Sequence, residues 1–304
     1  MIIDFKSNAD ELVTTHLISD YRVFILIVIW IVLQSLSTAC RADDKRGTTI
    51  SAGEPDADGV VLHQVHSDLE ASSTDIRVLM PNLATTDERF PVVYLLPVEA
   101  HRELRYGDGL TEILQQKLNV KHRAIFVAPT FANLPWYADH PTDSTVQQET
   151  YFLRVVVPFI DQHYPSIAKP EGRLLLGFSK SGWGAWSLLL RHPETFGRAA
   201  AWDAPMMMSE MKFGSAPIFG TLENLQNYRI PILLQAHQSE LIDKPPRLIL
   251  TGIGNFHSEH EQIHTLLNEL DIPHIDPEQQ KRHHHWHSGW VTESLELLLT
   301  KPEM

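Results

Sequence analysis

Short apolar runs alternate with longer amphipathic segments along most of the chain. Val60–His66 and residues 74–80 alternate apolar and polar positions with a period of two and predict an antiparallel edge hairpin. Six further apolar runs predict strands, most of them buried on both faces. They lie at 91–96, 123–128, 173–176, 198–202, 247–251 and 273–276.

Helical periodicity fills the gaps between these strands. It predicts helices at 147–163, 183–190, 259–270 and 290–300, with Pro158 interrupting the first. Strands that alternate with helices predict an α/β fold with a mostly parallel sheet and helices on both faces. Ligands of such sheets bind at the carboxyl ends of the strands.

The first 58 residues do not fit this alternation. Residues 23–33 form an unbroken apolar run, preceded by Arg22 and followed by small residues and Cys40. This length is typical of a signal-peptide core, and Cys40 stands where a lipoprotein signal places its lipidated cysteine. Alternatively, the run is an uncleaved membrane anchor, and the acidic first 21 residues suggest an over-long start. We therefore predict a signal at 1–40, a flexible linker at 41–58 and one domain at 59–304.

Composition limits the partners of the whole chain. The net charge is −13 with histidine neutral, and no long Lys/Arg run occurs, which argues against a nucleic-acid partner. Cys40 is the only cysteine, so no disulfide can form within one chain.

The segment 177–182, Gly-Phe-Ser-Lys-Ser-Gly, lies between a predicted strand and a predicted helix. A serine in such a tight strand-to-helix turn is typical of a nucleophile elbow, which predicts Ser179 as a nucleophile. Ser181 stands where glycine is usual. The N–H of Lys180 would then bind the oxyanion, and the loop after strand 91–96 would supply a second donor, Val98 or Glu99.

A serine nucleophile needs a histidine base. Residues 281–290 contain His283, His284, His285 and His287, beyond the last predicted strand. We interpret one of them as the base. A metal site is the weaker alternative, since one short stretch rarely closes a coordination sphere alone. No cofactor is predicted.

From about residue 91 to the end, the chain resembles the putative esterase (esterase D-like) family of α/β-hydrolases, which includes feruloyl and acetyl-xylan esterases, S-formylglutathione hydrolases and mycolyltransferases. The segments that carry the resemblance are 93–96, 177–182, 191–196, Gly252, 270–274 and a late His-x-Trp. It implies an α/β-hydrolase fold and serine-esterase chemistry. It also implies the base, because in such esterases the catalytic histidine often precedes a tryptophan by two residues. That residue is His284, with His285 and His283 as alternatives.

Two positions depart from the family pattern. Pro97-Val98 replaces the usual His-Gly, and Asn255 stands where the acid usually follows the Gly252 strand. Some α/β-hydrolases place the acid at the end of the preceding strand, which predicts Asp203, with Asn255 and Glu259 as alternatives.

Two further segments are candidates for substrate contacts. Trp136, Tyr137, Asp139 and His140 follow the strand at 123–128 and could line a substrate pocket, although aromatic residues there also serve as loop anchors. The stretch from the strand ending near Trp202 to the one starting near Arg247 is long enough for a lid.

These observations predict an exported serine hydrolase that cleaves carboxylic esters, either small molecules or esters linked to polysaccharide. Its location would be periplasmic, extracellular or attached to the membrane through Cys40 or an uncleaved anchor. The alternative is a non-catalytic binding protein of the same fold with a decayed triad.

Overall fold

The structure is a computed structural model that describes residues 47–82, 85, 87–252, 254–277 and 280–300. The predicted signal at 1–40, with Cys40, lies outside these residues and remains a prediction. Within the described ranges, no helix combines the length and the apolarity that crossing a membrane requires.

One sheet organises the described part of the chain. Its strands are β1 (Thr49–Ile50), β2 (Glu54–Pro55), β3 (Val60–His66), β4 (Thr74–Leu79), β5 (Val92–Leu95), β6 (Ile125–Pro129), β7 (Arg173–Phe178), β8 (Arg198–Trp202), β9 (Leu248–Thr251) and β10 (His274–Ile275). They follow the order β1-β3-β4-β6-β5-β7-β8-β9-β10, and β2 also pairs with β3. The pairs from β6 to β10 are parallel, whereas β4 is antiparallel to β6. The predicted mostly parallel sheet with an antiparallel edge is confirmed.

The domain begins earlier than the sequence predicts. β1 and β2 lie within 41–58, the predicted linker, and both pair antiparallel with β3. The Gly47 N–H also donates to Asp68 Oδ2 at 3.0 Å. The compact unit therefore starts at Gly47 rather than at residue 59. Two-residue strands carry too few positions to show a hydrophobic period, and the small polar residues around them are typical of loops.

Helices cover the sheet. They are α1 (Gly109–Gln115), α2 (Leu118–His122), α3 (Gln148–Tyr151), α4 (Val157–His163), α5 (Lys180–Arg191), α6 (Ala216–Phe219), α7 (Leu222–Gln226), α8 (Ile230–Ala236), α9 (Gln238–Leu241), α10 (His257–Glu269) and α11 (Trp290–Leu299). Buried apolar residues form two clusters, one on each face of the sheet. On β5, Val92 and Tyr94 belong to the first cluster, and Val93 and Leu95 belong to the second. This alternation follows from the period of two along a strand.

The helix predicted at 147–163 is continuous but not uniform. A π-helical turn, Phe152–Val156, joins α3 to α4, and Pro158 lies in the first turn of α4. Proline removes a donor and crowds the preceding turn, and a wider π turn accommodates both effects. The predicted interruption at Pro158 therefore takes the form of a π turn.

The segment between β8 and β9 holds the four short helices α6 to α9. Much of it is core rather than surface, since Met206, Ile218, Phe219 and Leu225 are buried. A lid role for this segment stays a prediction.

Candidate active site

The turn between β7 and α5 has the geometry of a nucleophile elbow. Ser179 has a φ of 52° and a ψ of −131°, a backbone conformation that residues other than glycine rarely adopt. A Cβ added to Gly177 would lie 2.3 Å from the Ser181 carbonyl oxygen, so no side chain fits there. The strained backbone at Ser179 and the lack of space at Gly177 together fit a nucleophile elbow.

Ser181, the departure from the usual glycine, has a structural role. Its side chain is buried, and its Oγ accepts from the Phe178 N–H at 3.0 Å and donates to the Phe178 carbonyl at 2.9 Å. The hydroxyl closes the turn around Ser179. The next residue, Gly182, has no room for a side chain, because an added Cβ would lie 2.9 Å from the Ala204 Cβ.

The elbow is tied to the neighbouring strand β8. The Ser179 N–H donates to the carbonyl oxygens of Trp202 and Asp203, at 3.1 and 3.2 Å. Ser179 is half-buried, and within the described residues its hydroxyl has no hydrogen-bond partner. A serine nucleophile needs a histidine base to take its proton, and in the absence of substrate the hydrogen bond between the two is often too long to form.

Asp203 and His284 form a buried hydrogen bond. His284 Nδ1 lies 2.6 Å from Asp203 Oδ2, and the carboxylate is 0% exposed. The Asn255 and Phe256 N–H groups also donate to this carboxylate, at 2.9 and 2.7 Å. Burial alone would raise the Asp203 pKa. The hydrogen bonds from His284, Phe256 and Asn255 outweigh burial and hold the pKa below its usual range.

The ionised Asp203 carboxylate can only accept, so His284 Nδ1 carries the hydrogen that it donates. His284 Nε2 is thereby left as the basic nitrogen. Its tautomer is fixed in the form that a general base for a serine hydroxyl needs.

The backbone around Asp203 is shaped to hold this bond. Asp203 has a φ of 41°, and a Cβ on Gly254 would lie 2.0 Å from Asp203 Oδ2. Buried His260 accepts the Ala204 N–H through Nε2 at 2.9 Å. Burial lowers the His260 pKa to about 4, so this ring is neutral at physiological pH and acts as an acceptor for the turn.

The alternative triad residues lie elsewhere. Asn255 contacts Asp203 through its backbone N–H only, and Glu259 Oε2 accepts from the Met207 N–H at 2.8 Å. His283 is exposed, and His285 Nδ1 accepts from the His287 N–H at 3.2 Å. Of the predicted acids and bases, the structure brings Asp203 and His284 together.

Aromatic rings surround the His284 imidazole. Their centroids lie 5.0 Å (Phe178), 5.5 Å (Tyr106), 5.9 Å (Trp202) and 6.1 Å (Phe256) from the imidazole centroid. Phe178 is the residue before Ser179, so the imidazole lies beside the elbow. The rings limit the orientations of His284 and lower the local dielectric, which strengthens its bond to Asp203.

A second histidine-carboxylate pair, which no sequence pattern predicted, anchors the loop that carries His284. His287 Nδ1 lies 2.8 Å from buried Glu112 Oε2 on α1, and its Nε2 accepts from the Asp108 N–H at 3.4 Å. The Trp286 N–H donates to the Tyr106 carbonyl at 2.9 Å. The sequence does not show which partner each of the neighbouring histidines contacts, because those partners lie far away in sequence.

The predicted oxyanion donors lie at the ends of β5 and β7. The Lys180 N–H starts α5 and lacks an intrahelical partner, as does every N–H in a first turn. Within the described residues, no group accepts the N–H of buried Val98. Tyr137 Oη donates to the Pro97 carbonyl at 2.5 Å and so holds the residue before Val98.

The four predicted pocket residues lie in structural roles. Trp136 and Tyr137 are fully buried, so the structure supports the anchor interpretation for both and not a pocket surface. Asp139 pairs with Thr150, and His140 Nδ1 accepts from the Asp143 N–H at 2.9 Å. Within the described residues, no group of three or more His, Cys, Asp or Glu side chains could hold a metal ion.

Comparison with known proteins places the chain in a family. The model of the family described as "Putative esterase" matches residues 70–242, more than half of the chain and a stretch that includes Ser179 and Asp203. Two relatives in Mycobacterium tuberculosis, Esterase MT1326 (strain CDC 1551 / Oshkosh) and Esterase Rv1288 (strain H37Rv), are 25% identical over 141 residues. These residues are 43% of this chain and 29% of each relative's length.

Solved structures share the fold over most of the chain. A ferulic acid esterase aligns with a TM-score of 0.62 at 18% identity, covering 84% of this chain and 97% of its own. The serine hydrolase FphF and the S-formylglutathione hydrolase FrmB, both from Staphylococcus aureus, align with TM-scores of 0.64 and 0.63 at 15% identity. Each alignment covers 83% of this chain and 100% of the other chain. Together with the family match, these alignments show that the chain belongs to the Putative esterase family and has an α/β-hydrolase fold.

Proposed function

We propose that this protein is a serine esterase that hydrolyses carboxylic esters through Ser179, His284 and Asp203. The observation that carries the proposal is the 2.6 Å hydrogen bond between His284 Nδ1 and buried Asp203, beside the strained Ser179. Asp203 offers the negative charge that Asn255 lacks, which supports a complete triad over a decayed one.

The reaction follows from this arrangement. Ser179 Oγ attacks the ester carbonyl carbon while His284 Nε2 takes its proton, and Asp203 stabilises the resulting imidazolium. The Lys180 and Val98 N–H groups stabilise the oxyanion. The imidazolium then protonates the leaving alkoxide, which departs as alcohol and leaves acyl-Ser179. Water repeats the sequence at the acyl carbon and releases the carboxylic acid.

The substrate is proposed as a small-molecule ester or an ester carried by a polysaccharide. The family match and the likeness to a ferulic acid esterase support an ester. The proposed location is outside the cytoplasm, either free or attached to the membrane through a lipidated Cys40 or an uncleaved anchor. The apolar run at 23–33 and the single cysteine that follows it support this location.

The test is turnover by the full chain on a panel of acetyl, butyryl and aromatic acyl esters. We expect wild-type protein to hydrolyse at least one ester and Ser179→Ala to lose more than about a thousand-fold in kcat. Ser258→Ala, which changes an exposed serine on α10, is the matched control. A folded wild-type protein without activity on any ester would instead support a non-catalytic binding protein.

A further inference from the structure

The residue after the nucleophile carries a buried charge in an unfavourable place. The Lys180 side chain is 12% exposed and belongs to the first residue of α5. The positive end of a helix dipole destabilises a cation there, and burial destabilises it further. Burial indeed lowers the Lys180 pKa, partly offset by Glu99, with Arg105 lowering it and Glu103 raising it. A side chain with these costs needs a compensating partner.

Glu99 is that partner. Its Oε1 lies 3.7 Å from Lys180 Nζ, and its side chain is 10% exposed. An ion pair shielded from solvent to this degree is screened less than a surface pair, and removing one partner leaves an uncompensated buried charge.

The two partners belong to the two halves of the proposed oxyanion hole. Lys180 supplies one donor through its own N–H, and Glu99 follows Val98, which supplies the other. Resting on the function proposed above, we propose that the Lys180–Glu99 ion pair is a clasp that fixes the distance between these two N–H groups. Lys180 and Glu99 are therefore positioning residues through their side chains.

The rest of the loop shows why a clasp is needed. Tyr137 holds the loop at the Pro97 carbonyl, and the His101 N–H donates to the Phe131 carbonyl at 2.8 Å. Within the described residues, the backbone N–H groups of Val98 and Glu99, between these two anchors, make no hydrogen bond. The ion pair is the charged contact that joins this free stretch directly to the elbow.

The experiment measures kcat and KM of the full chain between pH 6 and pH 10, on an ester that the wild type hydrolyses. The variants are Lys180→Met, Lys180→Arg, Glu99→Gln and the double variant Lys180→Met/Glu99→Gln. The control is Lys121→Met, which breaks an exposed ion pair with Glu296. Thermal unfolding of each variant verifies the fold.

We expect Lys180→Met and Glu99→Gln each to lower kcat roughly ten-fold with KM nearly unchanged, less than the loss of a whole oxyanion donor. The double variant should lose no more than either single variant, since both break the same contact. Lys180→Arg should retain kcat at pH 8. It should also retain activity at a higher pH than the wild type, because arginine does not lose its proton there.

The outcomes separate the clasp from the function. An active wild type with unchanged kcat in Lys180→Met, or with fully additive losses in the double variant, would overturn the clasp and leave the esterase proposal intact. A wild type without turnover, and with Ser179 unreactive, would overturn both.

Discussion

At the scale of single residues, two members of the proposed triad have an unusual backbone conformation. Ser179 and Asp203 both have positive φ values, 52° and 41°, and neither is glycine. The sequence predicted Ser179 as the nucleophile from its local turn, because that signal lies within six residues. It left the acid open, because the contact of Asp203 with His284 joins positions 81 residues apart, which no local pattern reveals.

Replacing Asp203 by Asn should reduce catalysis far more than stability. Asparagine keeps the shape but removes the charge that stabilises the His284 imidazolium, so we expect kcat to fall by roughly a hundred-fold to ten-thousand-fold. At least one of the donors around the side chain loses its acceptor, which costs about 1–3 kcal/mol. Kinetics with a chromogenic ester and thermal unfolding measure the two effects. Asp243→Asn, at an exposed aspartate with a φ of 61°, is the control. Equal kcat in Asp203→Asn and the wild type would remove Asp203 from the triad.

At the scale of elements, the carboxyl ends of β5, β7 and β8 bring the loop at Val98, the elbow and Asp203 to the same end of the sheet. The sequence predicted this parallel arrangement, because buried parallel strands have strong apolar runs. It did not predict α1 as the support of the His284 loop. That support consists of the contacts of Tyr106, Asp108 and Glu112 with Trp286 and His287, which lie far away in sequence.

The anchoring of the His284 loop on α1 can be tested with His287→Ala. The substitution leaves buried Glu112 without its partner and frees one end of the loop. We expect a loss of about 1–3 kcal/mol in the free energy of unfolding and a several-fold lower kcat. His237→Ala is the matched control: both histidines are 30% exposed, but Glu240, the partner of His237, is 61% exposed. Equal effects of the two substitutions on unfolding and kcat would contradict the anchoring role.

At the scale of the whole molecule, the two apolar clusters on either side of the sheet enclose several polar groups. The sequence predicted the α/β arrangement because strands and helices alternate so regularly. It placed the start of the domain too late, since two-residue edge strands are stabilised by pairing with β3 and not by their own composition. The buried carboxyl of Glu70 is another consequence of packing that composition does not show.

Glu70 should make the folded state less stable as pH rises. Burial raises its pKa from 4.5 to about 8, against the Ala132 N–H that lowers it, with Asp139 adding a smaller increase. Between these values the unfolded chain loses a proton that the folded protein keeps. The contribution of Glu70 to the free energy of unfolding should therefore fall by about 1.4 kcal/mol per pH unit over this window and level off above it.

Glu70→Gln should remove this contribution. Urea unfolding of both proteins between pH 4.5 and pH 9 provides the comparison, with the exposed Glu240→Gln as control. The gain in stability of Glu70→Gln over wild type should grow with pH until about pH 8. A constant difference across the range would show that Glu70 does not titrate as described.

The central claim is that Ser179 is an activated nucleophile, and covalent labelling with a fluorophosphonate probe tests it most directly. Intact-mass measurement of the full chain should show one added probe group, and peptide mapping should place it on Ser179. Ser179→Ala should not label and should unfold at nearly the wild-type temperature. His284→Ala should label far more slowly; it should also unfold at a lower temperature, because buried Asp203 loses its partner, so its labelling is measured where it is still folded. Labelling of Ser179→Ala at the wild-type rate, or none of the folded wild type, would contradict the account.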